Sequence, residues 1–344
     1  MSEQLVHMMG ELGVENRHSI LENYPAVIFD AAEPKLSTSA AALTVQAARR
    51  CIEKSGVPPE SIGLVLGVTS SPGRLLPSLV CDVFAQMPEI PRAADNLSIS
   101  YMGCSVIARV VETARWYLTC NPGKLVLACF MDAITPLSPP LPGTYAHFTE
   151  IPAESHQDTV DAMHGFLFGD AAVAMLLGAE GDGPTFGPVV GLTNELPEDT
   201  ELGTVPDGGS DVPVVLGQRR LYTLSPKVSK RGVHYASQTV RTLLEKRETS
   251  LLTPDQASVL FMHTGSKRIL NGLCDEFEVP RDSAKVASSY RVLRRYGNTI
   301  GCSIPLMLAE GVHRPEGEGI VMAFGLSFSC GSFSIRIPPG GWAP

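Results

Sequence analysis

Residues 100–118, "SYMGCSVIARVVETARWYL", pass from a β-like run into a helical one at a Gly-Cys-Ser triplet. Beyond the triplet, Val106, Val110, Ala114 and Leu118 fall four apart with Ile107 and Val111 beside them, while Arg109, Glu112 and Arg115 take the other side. That spacing predicts a helix with one apolar face. Gly103 allows the tight strand-to-helix junction of a nucleophile elbow. Cys104 then lies near the first turn, where unpaired N–H groups and the positive end of the helix dipole favour a thiolate. The competing reading is a packed cysteine at a helix start. The triplet returns at 301–303, in "YGNTIGCSIPLML", where the very apolar continuation makes core packing the expected role of Cys302.

Outward from the triplets, helix and strand signals alternate. Residues 38–55 are rich in helix formers and feed the apolar run "IGLVLGVTSS"; "LSISYMG", "KLVLACFMD" and "AAVAMLLGA" read as further strands. Two Pro- and Gly-rich stretches, 135–155 and 178–217, read as long surface loops. The pattern then restarts with a helix at 229–247, a strand ending at His263, the helices "SKRILNGLCDEF" and "GCSIPLMLAEG", and two closing strands, "GIVMAFGL" and "GSFSIRI". An α/β chain with its sheets covered on both faces is expected, and the repeated order of elements suggests a duplication.

The 344 residues are 44% hydrophobic and 18% charged, as a well-buried core requires, and the formal net charge of −9 argues against nucleic acid and anionic membranes as partners. The amino end has no basic start and apolar h-region, and the longest apolar stretch is interrupted by Asp170, so a cytoplasmic chain without a membrane span is expected. The eight cysteines are scattered, with no spacing suited to zinc, so no metal is expected.

His263 ends an apolar strand before "TGS", and can turn its ring into a cleft as donor or base. Asn298 in "RRYGNTIG" can offer amide donors to a developing negative charge. Each signal is weak alone. Cys104, His263 and Asn298 on three separate element ends make one nucleophile and two neutral donors, a set suited to attack on a thioester and stabilisation of an enolate.

These landmarks, with "ESHQDTVDAMHGFLFGDAAVAMLLGAE" and "FMHTGSKRIL" between them, resemble the thiolase-fold condensing enzymes from about residue 11 to 337. More narrowly, the chain is similar to both type III polyketide synthases (chalcone synthase-like) and ketoacyl-ACP synthases III. Its ending "FGLSFSCGS" looks like the latter, and its middle leans towards the former. The resemblance implies a duplicated thiolase fold in five layers, α-β-α-β-α, with halves 1–185 and 186–344, and commonly a homodimer. By the same resemblance Cys104 accepts the acyl group, His263 assists thiolate formation and decarboxylation, and Asn298 shares the thioester oxygen. The backbone N–H groups of Cys104 and Leu326 are the implied oxyanion donors; Tyr222, Phe148 and Thr149 fall at the pocket, and Arg17, Lys267 and Arg268 at the CoA or carrier-protein entrance. Asp170 is read as fold-holding, and the family's usual first strand is missing. The substrates implied are acyl-CoA or acyl-ACP and malonyl-type thioesters, with no cofactor. Acyl transfer to an alcohol or amine, and a non-catalytic place in a heteromeric synthase, are the alternatives.

Overall fold

The sheet that carries the first triplet is built around an eight-residue strand, β1 (Ile62–Thr69), in which every residue is buried. A strand shielded on both faces reads as a continuous apolar run rather than an alternating one. The computed structural model describes residues 10–138, 164–205, 223–310, 316–325 and 329–340. β2 (Asp95–Ser100) and β3 (Leu125–Asp132) flank β1 in parallel, and β4 (Ala171–Leu177) closes the order β2-β1-β3-β4, antiparallel to β3. In the second sheet β9 (Leu260–Met262) and β10 (Gly317–Phe324) are parallel, and β11 (Ser329–Ile337) runs antiparallel to β10. The same parallel-then-antiparallel order therefore occurs twice. The outer edge of β11 is covered by β5 (Thr185–Phe186) and β6 (Val190–Thr193), whereas β4 has no such partner strand among the described residues. This edge is where the two sheets differ.

Helices fill three layers. After the short α1 (Tyr24–Asp30), α2 (Ala40–Ser55) begins at Ser39, whose hydroxyl accepts from Ala42 N–H at 3.1 Å, and ends at Gly56 with φ +65°. With α3 (Leu79–Gln86) it covers one face of the first sheet, through Val45, Ala48, Ile52, Val80 and Val83 against Val65 and Leu127. The other face meets α4 (Val106–Cys120), whose buried residues are the predicted apolar stripe. α4 lies between the two sheets, and Gly331 lets β11 approach it: a Cβ there would stand 2.3 Å from that of Ala108. On the far side of the second sheet lie α5 (Val228–Glu245) and α6 (Lys267–Glu276). α7 (Ala287–Tyr296) leads into α8 (Ser303–Glu310), which joins α4 in the middle layer. The result is the five-layered α-β-α-β-α arrangement of the duplicated thiolase fold.

The described part of the stretch 178–217, residues 178–205, departs from the expectation of a surface loop. It contributes β5 and β6, whose backbones pair with β11, and β7 (Gly203–Thr204), which pairs with β8 (Thr223–Leu224). Strands of two to four residues carry no period that a sequence pattern could display. α1, α3 and α7 were likewise absent from the expected order of elements.

Candidate active site

β2 ends at Ser100, and two residues at positive φ, Tyr101 (+61°) and Gly103 (+57°), turn the chain sharply. Residues 103–105 then form a 3₁₀ turn, so Cys104 lies two residues before α4, near its first turn. The elbow is fixed from two sides. Gly103 N–H donates to Ser70 Oγ at 2.9 Å, and Ser105 Oγ, bonded to Met102 O at 3.0 Å, lies 2.5 Å from Ser329 Oγ at the start of β11. Gly325 packs over the turn. A Cβ at Gly325 would meet Met102 O at 2.7 Å and Cys104 N at 3.2 Å, so any side chain there would crowd the Cys104 amide.

The expected thiolate-favouring setting is overturned. Cys104 is 7% exposed, and burial, with the nearby Asp132 carboxylate adding to it, pushes its thiol well above the ordinary range. Desolvation outweighs the partial charges of a helix start. Burial thus favours the neutral thiol at Cys104.

His263 follows β9, its ring packed edge-on against Phe324 with centroids 5.2 Å apart. Burial drops its pKa to about 3, so the imidazole is neutral, and its buried Nδ1 has no hydrogen-bond partner among the described residues. Phe324 ends β10 and adjoins Gly325, which touches the Cys104 elbow. Asn298 is buried; Ile300 N–H donates to its Oδ1 at 2.9 Å, leaving the Nδ2 group as the side chain's donor. Its backbone is clamped to the first half: Asn298 N–H donates to Leu167 O at 2.9 Å, and Gly169 N–H to Asn298 O at 3.2 Å.

The second triplet builds this side of the site. Gly301 N–H donates to Asp132 Oδ2 at 2.9 Å. The Cys302 thiol, fully buried, donates to Ala171 O at 3.3 Å. Ser303 Oγ accepts from Thr264 Oγ1 at 2.9 Å and lies 3.2 Å from Thr299 Oγ1. Thr264 follows His263 and Thr299 follows Asn298, so one hydroxyl ties the two donors together. Neither Ser303 nor Asp132 was singled out in the sequence. A serine at a helix start and an aspartate at a strand end are common vocabulary, and only the fold brings them to the site.

Asp170 holds the fold as expected from its position: its carboxylate accepts from the N–H groups of Ile20, Ile134 and Thr135, at 2.7 to 2.9 Å. Arg17, expected at the entrance, is half-buried. Its guanidinium donates to the carbonyls of Gly165 and Phe168 and lies over the Tyr24 and Phe166 rings, because five fixed donors are best satisfied by clustered carbonyls. Lys267 and Arg268 open α6, one turn after His263; the Lys267 stem packs on Gly13, and Arg268 is exposed. Arg231, in α5, is engaged by Asp199 through its Nε at 2.9 Å. Phe148, Thr149, Tyr222 and Leu326 lie outside the described residues. Among the described residues, no cluster of His, Cys, Asp and Glu could hold a metal ion, and no helix is long and apolar enough to cross a membrane.

Comparison with known proteins gives a consistent kinship. The profile of the 3-oxoacyl-[acyl-carrier-protein (ACP)] synthase III C-terminal family matches residues 248–337, the stretch with His263 and Asn298. Over most of its length the chain is similar to proteins named β-ketoacyl-[acyl-carrier-protein] synthase III. It is 24% identical to the Geobacillus kaustophilus protein over 298 residues, covering 84% of this chain and 81% of that one. It is 27% identical to the protein of Synechococcus sp. (strain WH7803) over 308 residues, covering 86% and 80%. In fold it matches the C-terminal type III polyketide synthase domain of Steely1 from Dictyostelium, with TM-score 0.76 and 15% identity over 97% of this chain and 89% of that one.

Proposed function

We propose that this chain, a thiolase-fold relative of the ketoacyl-ACP synthases III and the type III polyketide synthases, is an acyltransferase that condenses acyl thioesters through an acyl group carried on Cys104. The observation that supports the reading is the hydrogen-bond network around the three residues: Ser303 joins Thr264 and Thr299, the neighbours of His263 and Asn298, and Asp132 joins Gly301 in the Asn298 loop to Ser70, which holds the Cys104 elbow. In the first half-reaction the Cys104 thiol gives its proton to neutral His263 as sulfur attacks the carbonyl of an acyl-CoA or acyl-ACP. The departing thiol recovers that proton, and the acyl group remains on Cys104. In the second, a malonyl-type thioester loses carbon dioxide, or a β-keto thioester gives its α-proton to water, and the enolate oxygen receives hydrogen bonds from His263 and the Asn298 amide. The enolate carbon attacks the Cys104 thioester, whose oxygen is held by the Cys104 N–H beside Gly325, and the C–S bond breaks with the Cys104 sulfur leaving as a thiolate that takes up a proton from water.

A neutral histidine suits both steps, since it accepts the thiol proton first and donates to the enolate oxygen afterwards. Retention of an amide at Asn298 favours carbon–carbon bond formation over transfer to an alcohol or amine. A place in polyketide or other specialised metabolism, assembly as a homodimer and a cytoplasmic location belong to the same reading. Incubation with a panel of acyl-CoA thioesters followed by malonyl-CoA tests it: an acyl adduct on Cys104 and stoichiometric carbon dioxide release are expected. Adduct formation without carbon dioxide or a new carbon–carbon bond would leave transfer alone.

A further inference from the structure

Asp132, at the end of β3, is a buried carboxylate that the proposed reaction does not consume. Its Oδ1 accepts from Ser70 N–H at 2.8 Å and Ser71 Oγ at 3.1 Å, and its Oδ2 accepts from Gly301 N–H at 2.9 Å. Two lines run from these bonds to the chemistry. Ser70 is the residue whose hydroxyl receives Gly103 N–H, one residue before the nucleophile, and Gly301 lies three residues after Asn298. The 3₁₀ turns of the two triplets meet beside this carboxylate: a Cβ at Gly301 would stand 3.0 Å from Asp132 Oδ2 and 3.8 Å from Gly103 O.

We propose that Asp132 is a positioning residue, whose two oxygens hold the Cys104 elbow and the Asn298 loop in one register. An amide could not replace it, having one acceptor oxygen and an NH₂ group that would confront an N–H donor. The inference rests on Cys104 and Asn298 being the reacting groups. The carboxylate has a second effect, because no cationic side chain pairs with it among the described residues. Titratable Cys104 faces it from the elbow and Cys302 from the turn before α8, with Asp170 also acting on Cys302. Its charge opposes ionisation of both thiols, while burial raises its own pKa to about 6. The residue that aligns the nucleophile therefore also holds it as a thiol.

Asp132→Asn separates these effects. Iodoacetamide labelling of Cys104 across pH, read by peptide mass spectrometry, needs no turnover and so reports on Asp132 even if the condensation reading fails. The labelling profile is expected to move down by roughly one pH unit as the negative charge is removed. Condensation with malonyl-CoA is expected to fall at least tenfold more than acyl loading, because the Asn298 loop is released. A profile that does not move, or parallel losses in loading and condensation, overturns the proposal. Should the variant fail to fold, Ser70→Ala keeps the charge and removes the Gly103 tether: loading must slow while the labelling profile stays in place, and unchanged loading overturns the proposal.

Discussion

The two Gly-Cys-Ser triplets share letters, 3₁₀ turns and a following helix in the middle layer, yet each residue of one is used differently from its counterpart. Gly103 turns the chain at positive φ, and Gly301 presents its N–H to Asp132. Cys104 is buried with its amide nitrogen beside Gly325, whereas Cys302 spends its S–H on Ala171 O. Ser105 ties the elbow to β11, and Ser303 ties His263's neighbour to Asn298's neighbour. One local design thus occurs twice; in the proposed function the first copy carries the nucleophile and the second positions the donors.

The largest effect that sharpens this contrast is expected for Asn298→Ala, which removes the donor the second copy supplies. Condensation should fall about 10²–10³-fold, the usual cost of one oxyanion-type donor, while acyl loading survives in a single-turnover assay. Gly325→Ala attacks the first copy instead: the added Cβ presses on Met102 O and the Cys104 amide, and relief of the overlap must displace the elbow. Overpacking of this kind costs about 1–3 kcal/mol, so loading itself should slow by roughly ten- to hundredfold in stopped-flow kinetics. Ser303→Ala removes a single neutral hydroxyl, worth about 1 kcal/mol, and condensation should fall about fivefold with loading unchanged.

The smallest effect on turnover comes from pH. Burial holds His263 at about 3 and His164 at about 4, both below the ordinary histidine value. A depressed folded pKa means stability that is present above about 6.5 and lost as the pH falls through 4 and then 3. Asp132, raised to about 6, acts in the opposite sense: its contribution is present below about 4 and lost as the pH rises through 6. Denaturant midpoints measured from pH 4 to 7 should show the acid loss, and His164→Gln should flatten it.

Much of this arrangement was legible in the sequence because the strongest signals are long. The continuous apolar run of β1 and the four-residue recurrence along α4 reflect burial on two faces and on one. β5 and β6 escaped because backbone pairing with β11 holds them, and that pairing leaves no side-chain pattern in so few residues. α7 escaped because only Ser289, Val292 and Leu293 of its ten residues are buried. At the site, residue types named the trio but not its electrostatics. A helix start is visible in a sequence, whereas the burial that reverses its effect on Cys104 is produced by Gly325, Asp132 and the other half of the chain.

The central claim, that only the first triplet carries the acyl group, is tested most directly by intact-protein mass spectrometry of Cys104→Ala and Cys302→Ala after incubation with a starter acyl-CoA. The adduct should vanish from Cys104→Ala and persist in Cys302→Ala. An adduct that persists in Cys104→Ala and vanishes from Cys302→Ala would contradict the account.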